Sequence, residues 1–428
     1  MHTMNSVRLR ARIGSAFLWT AIGLSFSIPA RAESANARYG AVFGEIGDTI
    51  AKYFYDPRFV TEQFGGIRKR YGEQVAAARS QSQFAEVIDA MLAELKASHT
   101  HYYTPQDPAY YQLASIFAAH PNVRPLLQGK PPLYPSIGIE TRRRGGKVFV
   151  QAVFEGRPAD KAGIVKGDEI IAIDGQRFTP VASLRERVGR TARLSVRRRA
   201  DSAPLTVDVV PAMVDPKEEF LAAERSSVRV FAAGGKKVGY IHLLSYASED
   251  FHRVFLEALM GPLEGADALI WDLRDGWGGA DPKYLNVFNK EVPVLSLTDR
   301  EGKTHRYDPQ WRKPVVMLTN GTVRSGKEVL AYAFKKYGIG KVIGERTAGA
   351  VLGGTPFVLS DGSILYLAVH GVRVDDVVLE GDGIEPDIAV PMDVEYLAGN
   401  DRQLQKAVEY FAETFKHRGA DHPPPPAR

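Results

Sequence analysis

Between Lys237 and Gly344 the chain repeats one pattern, a short apolar run followed by a segment with helical spacing. The runs are Val238–Leu244, Ala268–Asp272, Val315–Thr319 and Lys341–Gly344. Between them lie an amphipathic stretch over Glu249–Met260, with acids in its first turn, a helix-like Pro282–Asn289 and a helical pattern ending at Tyr337. Parallel strands cannot be joined by tight hairpins, so this alternation predicts a largely parallel sheet with helical crossovers. It constrains the fold more than any composition figure does.

Two turns of this region carry candidate chemistry. Asn320-Gly-Thr-Val-Arg-Ser325-Gly-Lys-Glu328 joins the third run to its helix. A serine between strand and helix sits at the positive end of the helix dipole, where nucleophiles are often presented. Ser325 and Glu328 also fit an ordinary capping box, S-x-x-E. Asp272-Leu-Arg-Asp-Gly-Trp-Gly278-Gly279 follows the second run. Its glycines allow backbone N–H groups to approach a ligand, or simply form a tight turn.

The flanking regions differ in texture. Residues 36–115 read as mostly helical, with apolar positions at Phe43, Ile46, Ile50 and Phe54, then Phe84, Ile88, Met91 and Leu95. They end in Ala97-Ser98-His99-Thr-His101-Tyr-Tyr-Thr-Pro105. Pro121–Pro135 holds five prolines and reads as a linker. From Ile137 to about Met213, short β-like runs alternate with turns: Ile137–Glu140, Lys147–Val153, Glu169–Ile173, Arg193–Val196 and Leu205–Val210. One short helix is expected over Ser183–Val188, and the arginines at 142–144 and 197–199 read as solvated hairpin faces. A last helix is expected over Leu404–Phe415, before a Pro-rich tail.

Charge and cysteine usage narrow the function classes. Arg8, Arg10 and Arg12, an uncharged run Ile13–Ile28 and Ala30-Arg-Ala32 have the layout of a cleaved secretory signal. Residues 1–32 hold four of the 55 basic residues and none of the 50 acidic ones, leaving 51 against 50. The remainder is therefore almost neutral and offers no electrostatic case for nucleic acid. With no cysteine, thiol nucleophiles, disulfides and thiolate metal sites are excluded.

Ser136-Ile137-Gly138-Ile139 resembles the carboxylate-binding loop of a PDZ domain, and Pro158-Ala-Asp-Lys-Ala-Gly-Ile-Val-Lys-Gly-Asp168-Glu-Ile-Ile-Ala-Ile-Asp-Gly175 is close to a PDZ signature. Such a loop bares N–H groups for a peptide carboxylate, and the next strand edge pairs with the peptide. Together with Ser98-His99, the 272–279 turn, Ser325-Gly-Lys-Glu328 and Gly344-Glu-Arg-Thr-Ala-Gly349, the chain resembles the carboxyl-terminal processing, or tail-specific, serine peptidases. The resemblance implies an α/β (α+β multidomain) fold: a crotonase/ClpP-like protease core, an inserted PDZ β-module and an N-terminal helical region. It divides the chain into a signal (1–32), helical region (33–125), PDZ domain (133–213), peptidase core (216–398) and C-terminal helix with tail (399–428).

Many family members use a Ser–Lys dyad with lysine 25 residues after the serine. Here that position is Ala350. Lys327 is read as facing away on another helix face, and Lys341 as a surface residue. The tricorn-core-like branch fits better. It implies Ser325 as nucleophile, His99 as base, and Ser98 and Glu380 as orienting groups, Glu380 standing in Glu380-Gly-Asp-Gly-Ile-Glu-Pro-Asp387. His101 is a rival base that lacks the preceding serine, and taken singly His99 and Glu380 read as a loop histidine and a turn acid. The resemblance further implies an oxyanion hole from Gly326 with Gly278 or Gly279, and peptide binding at Ser136, Ile137, Gly138 and Ile139. It implies no metal or organic cofactor. The expected partners are protein or peptide substrates with C-terminal ends, with no nucleic acid and no stable membrane span after signal cleavage. The expected location is exported, periplasmic or extracellular. A catalytically inactive peptide-binding protein on the same fold remains an alternative, motivated by Ala350 and by Thr322-Val-Arg324 ahead of the serine. A binder of apolar small molecules is a third.

Overall fold

The computed structural model describes residues 35–421; the expected signal segment and the Pro-rich tail lie outside them. The chain begins with helices α1 (Ala35–Tyr53), α2 (Pro57–Phe59), α3 (Gly65–Ala77) and α4 (Gln81–Ala93). A π-helical turn, Val60–Phe64, joins α2 to α3. The expected apolar stripe forms a core of its own, with Ile46, Ile50, Phe84, Ile88 and Met91 fully buried. Strand β1 (His101–Tyr103) and helices α5 (Pro108–Ile116) and α6 (Arg124–Leu127) follow, so the proline-rich linker contains a short helix.

The β module comprises β2 (Tyr134–Ser136), β3 (Ile139–Arg144), β4 (Lys147–Val153), α7 (Pro158–Lys161), β5 (Glu169–Ile173), α8 (Ala182–Arg185), β6 (Ala192–Arg197), β7 (Leu205–Val209) and β8 (Ala212–Val214). The expected first run, Ile137–Glu140, is broken at Gly138, whose φ of 80° ends one strand and starts another. The sheet order is β3-β4-β5-β6-β7, which leaves β3 as a free edge. The arginine clusters are ion-paired rather than only solvated. Arg142 and Arg144 meet Glu395, Arg197 meets Glu169, and Arg198 meets Asp168.

The remaining chain forms α9 (Pro216–Ser227), β9 (Arg229–Ala233), β10 (Lys236–His242), α10 (Glu249–Met260), β11 (Ala268–Asp272), a 3-10 helix over Pro282–Phe288, and a hairpin of β12 (Leu295–Thr298) and β13 (Thr304–Tyr307). It continues with β14 (Val315–Thr319), α11 (Gly326–Lys336), β15 (Lys341–Gly344), β16 (Gly353–Val358), β17 (Ile364–His370), β18 (Ile388–Ala389) and α12 (Arg402–Asp421). The six-stranded sheet runs β18-β15-β14-β11-β10-β9, parallel except for β9. Side chains alternate between its faces as strand geometry demands. Leu269 and Trp271 pack with Phe255 of α10 and Phe334 of α11. Ala268 and Ile270 pack with Ala407 and Phe411 of α12. Each such aromatic or aliphatic burial contributes about 1.5–3 kcal/mol, and together they fix the strand ends that carry the site. A second sheet, β1-β17-β16, ties the stretch after the N-terminal helices into the core.

Candidate active site

Ser325 stands at the turn from β14 into α11 with φ 59° and ψ −133°. A non-glycine residue there is strained, by roughly 1–3 kcal/mol, so its surroundings must hold it. The Ser325 N–H donates to the Ala350 carbonyl at 2.7 Å. The Glu328 carboxylate also accepts that N–H (3.2 Å), and those of Gly349 (2.8 Å) and Ala350 (2.7 Å), and the Thr347 hydroxyl (2.5 Å). Burial raises the Glu328 carboxyl, against these hydrogen bonds. The Glu328 N–H goes to the Ser325 carbonyl at 2.8 Å. Glu328 therefore braces the turn, and with Ser325 it forms the capping box that the S-x-x-E spacing suggests. Position 350 is part of this brace through its backbone.

Ser98 and His99 lie just before β1. The Ser98 hydroxyl is 2.9 Å from His99 Nδ1 and 2.9 Å from Glu380 Oε2. Glu380 also accepts the N–H groups of Ser98 (2.9 Å), Val351 (2.7 Å) and Leu352 (3.2 Å). A carboxylate so surrounded by donors takes the serine's single proton, so Ser98 Oγ accepts from His99 Nδ1–H. That fixes the tautomer and leaves Nε2 as a bare acceptor. Burial lowers the His99 imidazole to about 4, helped by Arg324 and opposed by Glu380. Ser98, His99 and Ser325 line one cavity of about 400 Å³, with Tyr103, Phe117 and Tyr366 among its apolar walls. No hydrogen bond joins His99 to Ser325 among the described residues. Catalytic contacts of this kind often tighten only around substrate. His101 lines the same cavity but is not tied to Ser98 or Glu380.

The glycine turn presses against the serine. A Cβ on Gly278 would lie 2.6 Å from the Ser325 Cβ, and one on Gly326 would lie 2.3 Å from the Ala280 nitrogen. Among the described residues, the N–H groups of Gly278, Gly279 and Gly326 have no acceptor, as an oxyanion site requires. The turn is held from below by Lys327, which makes no contact with Ser325 and whose helix face is the buried one. Lys327 is fully buried, and its ammonium donates to the carbonyls of Leu243 (2.7 Å), Asp275 (3.0 Å) and Leu273 (3.1 Å). Burial lowers it to about 7, against Glu140, Asp275 and Asp272. Lys341 is at the surface, 3.8 Å from Asp387.

The β module also touches this turn. Asp275 receives Lys166 (2.7 Å), Gln151 (2.8 Å) and Asn320 (3.0 Å), and Glu140 accepts the Gly276 N–H at 3.3 Å. Sequence reasoning missed Arg324, Lys327, Glu140 and Asp275. The serine-helix spacing flagged Glu328 as a capping partner and drew attention to Lys327, but gave Arg324, Glu140 and Asp275 no role. At the other end of the module, Ser136 is buried and its hydroxyl accepts the Gly138 N–H at 2.8 Å, so one donor of the expected carboxylate loop is occupied internally. Ile137 is buried in the module's core, and Ile139 opens the free edge of β3. A groove of about 1130 Å³ runs from Ile139, Thr141 and Leu184 to Trp277 and Arg324 at the serine's cavity. Among the described residues no cluster suited to a metal ion occurs, and no helix is long and apolar enough to cross a membrane.

Comparison with known proteins agrees with this layout. Residues 237–390 match the description "Peptidase family S41", and residues 135–210 match "PDZ domain". The chain is 26% identical over 304 residues to the carboxy-terminal processing protease CtpB of Bacillus subtilis, covering 66% of this chain and 61% of that one. It is 25% identical over 379 residues to the carboxyl-terminal-processing protease of Synechocystis, covering 82% and 84%. Among solved structures, the tricorn protease superposes with a TM-score of 0.53 at 20% identity, over 89% of this chain and 37% of that one. The chain thus spans about three fifths of the Bacillus relative and just over a third of tricorn.

Proposed function

We propose that this member of peptidase family S41, with its PDZ domain, is an exported serine endopeptidase that cleaves peptide bonds near substrate C-termini. The observation that carries the reading is the Glu380–Ser98–His99 relay, whose imidazole lines the cavity that also holds Ser325.

In this mechanism the Ser325 hydroxyl attacks the scissile carbonyl as His99 Nε2 takes its proton. The developing oxyanion accepts from the N–H of Gly326 and from that of Gly278 or Gly279. The C–N bond breaks as His99 returns the proton to the leaving amine. Water, deprotonated by His99, then hydrolyses the ester and restores Ser325. Ser98 passes the influence of Glu380 to the ring, stabilising the imidazolium. A peptide would reach the site as an added strand on the free edge of β3, its end at the Ser136–Ile139 loop. Export rests on the signal-like residues 1–32.

The rival reading, a peptide-binding protein without turnover, draws on the open His99–Ser325 link and on Ala350. A fluorophosphonate probe on purified full chain separates the two. Labelling that disappears in Ser325→Ala and drops steeply in His99→Ala is expected. Folded protein that binds C-terminal peptides but never reacts with the probe would falsify the peptidase reading.

A further inference from the structure

Arg324 immediately precedes the proposed nucleophile, and among the described residues no carboxylate pairs with it directly. A guanidinium carries five N–H donors in a rigid fork. Here Nη2 donates to the Gly276 carbonyl at 3.1 Å, while Nε is sealed from water without an acceptor. Among the described residues Arg324 makes no ion pair. Glu140, an acid that lines both the cavity and the groove, feels the Arg324 charge without pairing with it and accepts the Gly276 N–H. The guanidinium carbon sits over Trp277, 4.2 Å from the ring centre, and the Trp277 indole N–H is fixed by Gln112 at 2.7 Å. Tyr103 packs edge-on against the same indole at 6.4 Å. The cation is thus held on an aromatic platform at the junction of the serine's cavity and the groove along β3.

A half-buried arginine with most of its fork free is built to take a planar anion, and a carboxylate satisfies two N–H groups at once. We infer that Arg324 is a specificity-determining residue that binds a substrate carboxylate beside the scissile bond, favouring substrates with Asp or Glu next to the cleavage point. The inference rests on the peptidase reading for its position relative to the bond cut, but not for the binding itself. The carboxylate of an acidic side chain and that of a substrate's own C-terminus present the same chemistry, so the test separates them. A bound carboxylate would also offset the Arg324 field that helps to hold the His99 imidazole low.

Peptides differing only by Glu, Gln or Lys at one position, with amidated C-termini, are titrated against the full-length Ser325→Ala protein by fluorescence anisotropy. In parallel, kcat/KM is measured on active enzyme, with sites counted by the probe. The Glu peptide is expected to bind and turn over about tenfold to a hundredfold better than the Gln peptide, as a charge-assisted pair implies. Arg324→Gln should erase that ratio, and Arg324→Glu should reverse it in favour of Lys. Neutral peptides with free or amidated ends form the second arm. An Arg324-dependent preference for the free acid, without one for Glu, assigns the carboxylate to the terminus. Equal affinity for all peptides in the Arg324 protein, or a Glu preference that survives Arg324→Gln, overturns the inference. The first of these comparisons needs no Arg324 variant, so it stands even if substitution impairs folding. A protein that discriminates Glu from Gln but never labels keeps this inference and loses the peptidase reading.

Discussion

Two titratable residues give the proposed site its expected pH dependence. The His99 imidazole, lowered to about 4 by burial and Arg324, is neutral at any higher pH and available as a base. Lys327 is lowered to about 7 by burial, and its three carbonyl partners match the three N–H groups of an ammonium. Deprotonation leaves two donors for three acceptors and frees the glycine turn. The sign is therefore opposite for the two groups: kcat should fall as pH drops through about 4 and again as it rises through about 7. A pH–rate profile checks both limbs. In Lys327→Met the alkaline limb should vanish, with kcat lowered about 100-fold on the plateau between the two limbs, by analogy with loss of an oxyanion donor. KM should change little, since the turn's hydrogen bonds matter most once charge develops. An unaltered alkaline limb in a folded Lys327→Met protein would assign that limb elsewhere. The lysine's role was hidden in the sequence because a residue two positions along a helix is read as facing away. Spacing along the helix could not show that this other face is buried beneath the glycine turn.

At the level of elements, much was legible. Glu249–Met260, Ala268–Asp272, Val315–Thr319 and Lys341–Gly344 fall where their apolar patterns place them. Their periodicity is local, and burial on both faces of the sheet enforces it. The β12–β13 hairpin left no such signal, because its side chains are exposed on both strands. Glycine was informative where a backbone must pass close to another. Gly278 is such a place, since its Cβ would stand 2.6 Å from both the Ser325 Cβ and the Arg324 carbonyl oxygen. Gly278→Ala should push the turn off the serine and misdirect an oxyanion donor. A 10²–10³-fold fall in kcat is expected, about 2.7–4 kcal/mol, and probe labelling should slow in parallel. Equal labelling rates in a folded Gly278→Ala protein would place the oxyanion donors elsewhere.

The whole molecule is assembled through contacts that no local pattern announces. The order of helical region, PDZ module and core could be read from the sequence, but not their interweaving. β1 leaves the helical region to pair with β17, which sets the adjoining Ser98-His99 next to a serine 226 residues away in sequence. Lys166 and Gln151 of the PDZ module converge on Asp275 in the glycine turn. Burial alone would raise the Asp275 carboxyl, but Lys166 holds it well below the usual carboxylate range. Removing one partner of a buried ion pair leaves an uncompensated charge, at a cost of roughly 3–5 kcal/mol when burial is complete. Lys166 keeps 16% of its side-chain surface exposed against 5% for Asp275, so the lower end applies. Lys166→Met should therefore lower the melting temperature and speed proteolytic nicking in the proline-rich stretch before β2. It should also lower kcat more than KM, because the loosened Asp275 adjoins Gly276 and the proposed oxyanion donors beyond it. Differential scanning calorimetry, limited proteolysis and steady-state kinetics on one preparation measure all three. A loss of stability with kcat intact would mean that the module is anchored at this turn without positioning it.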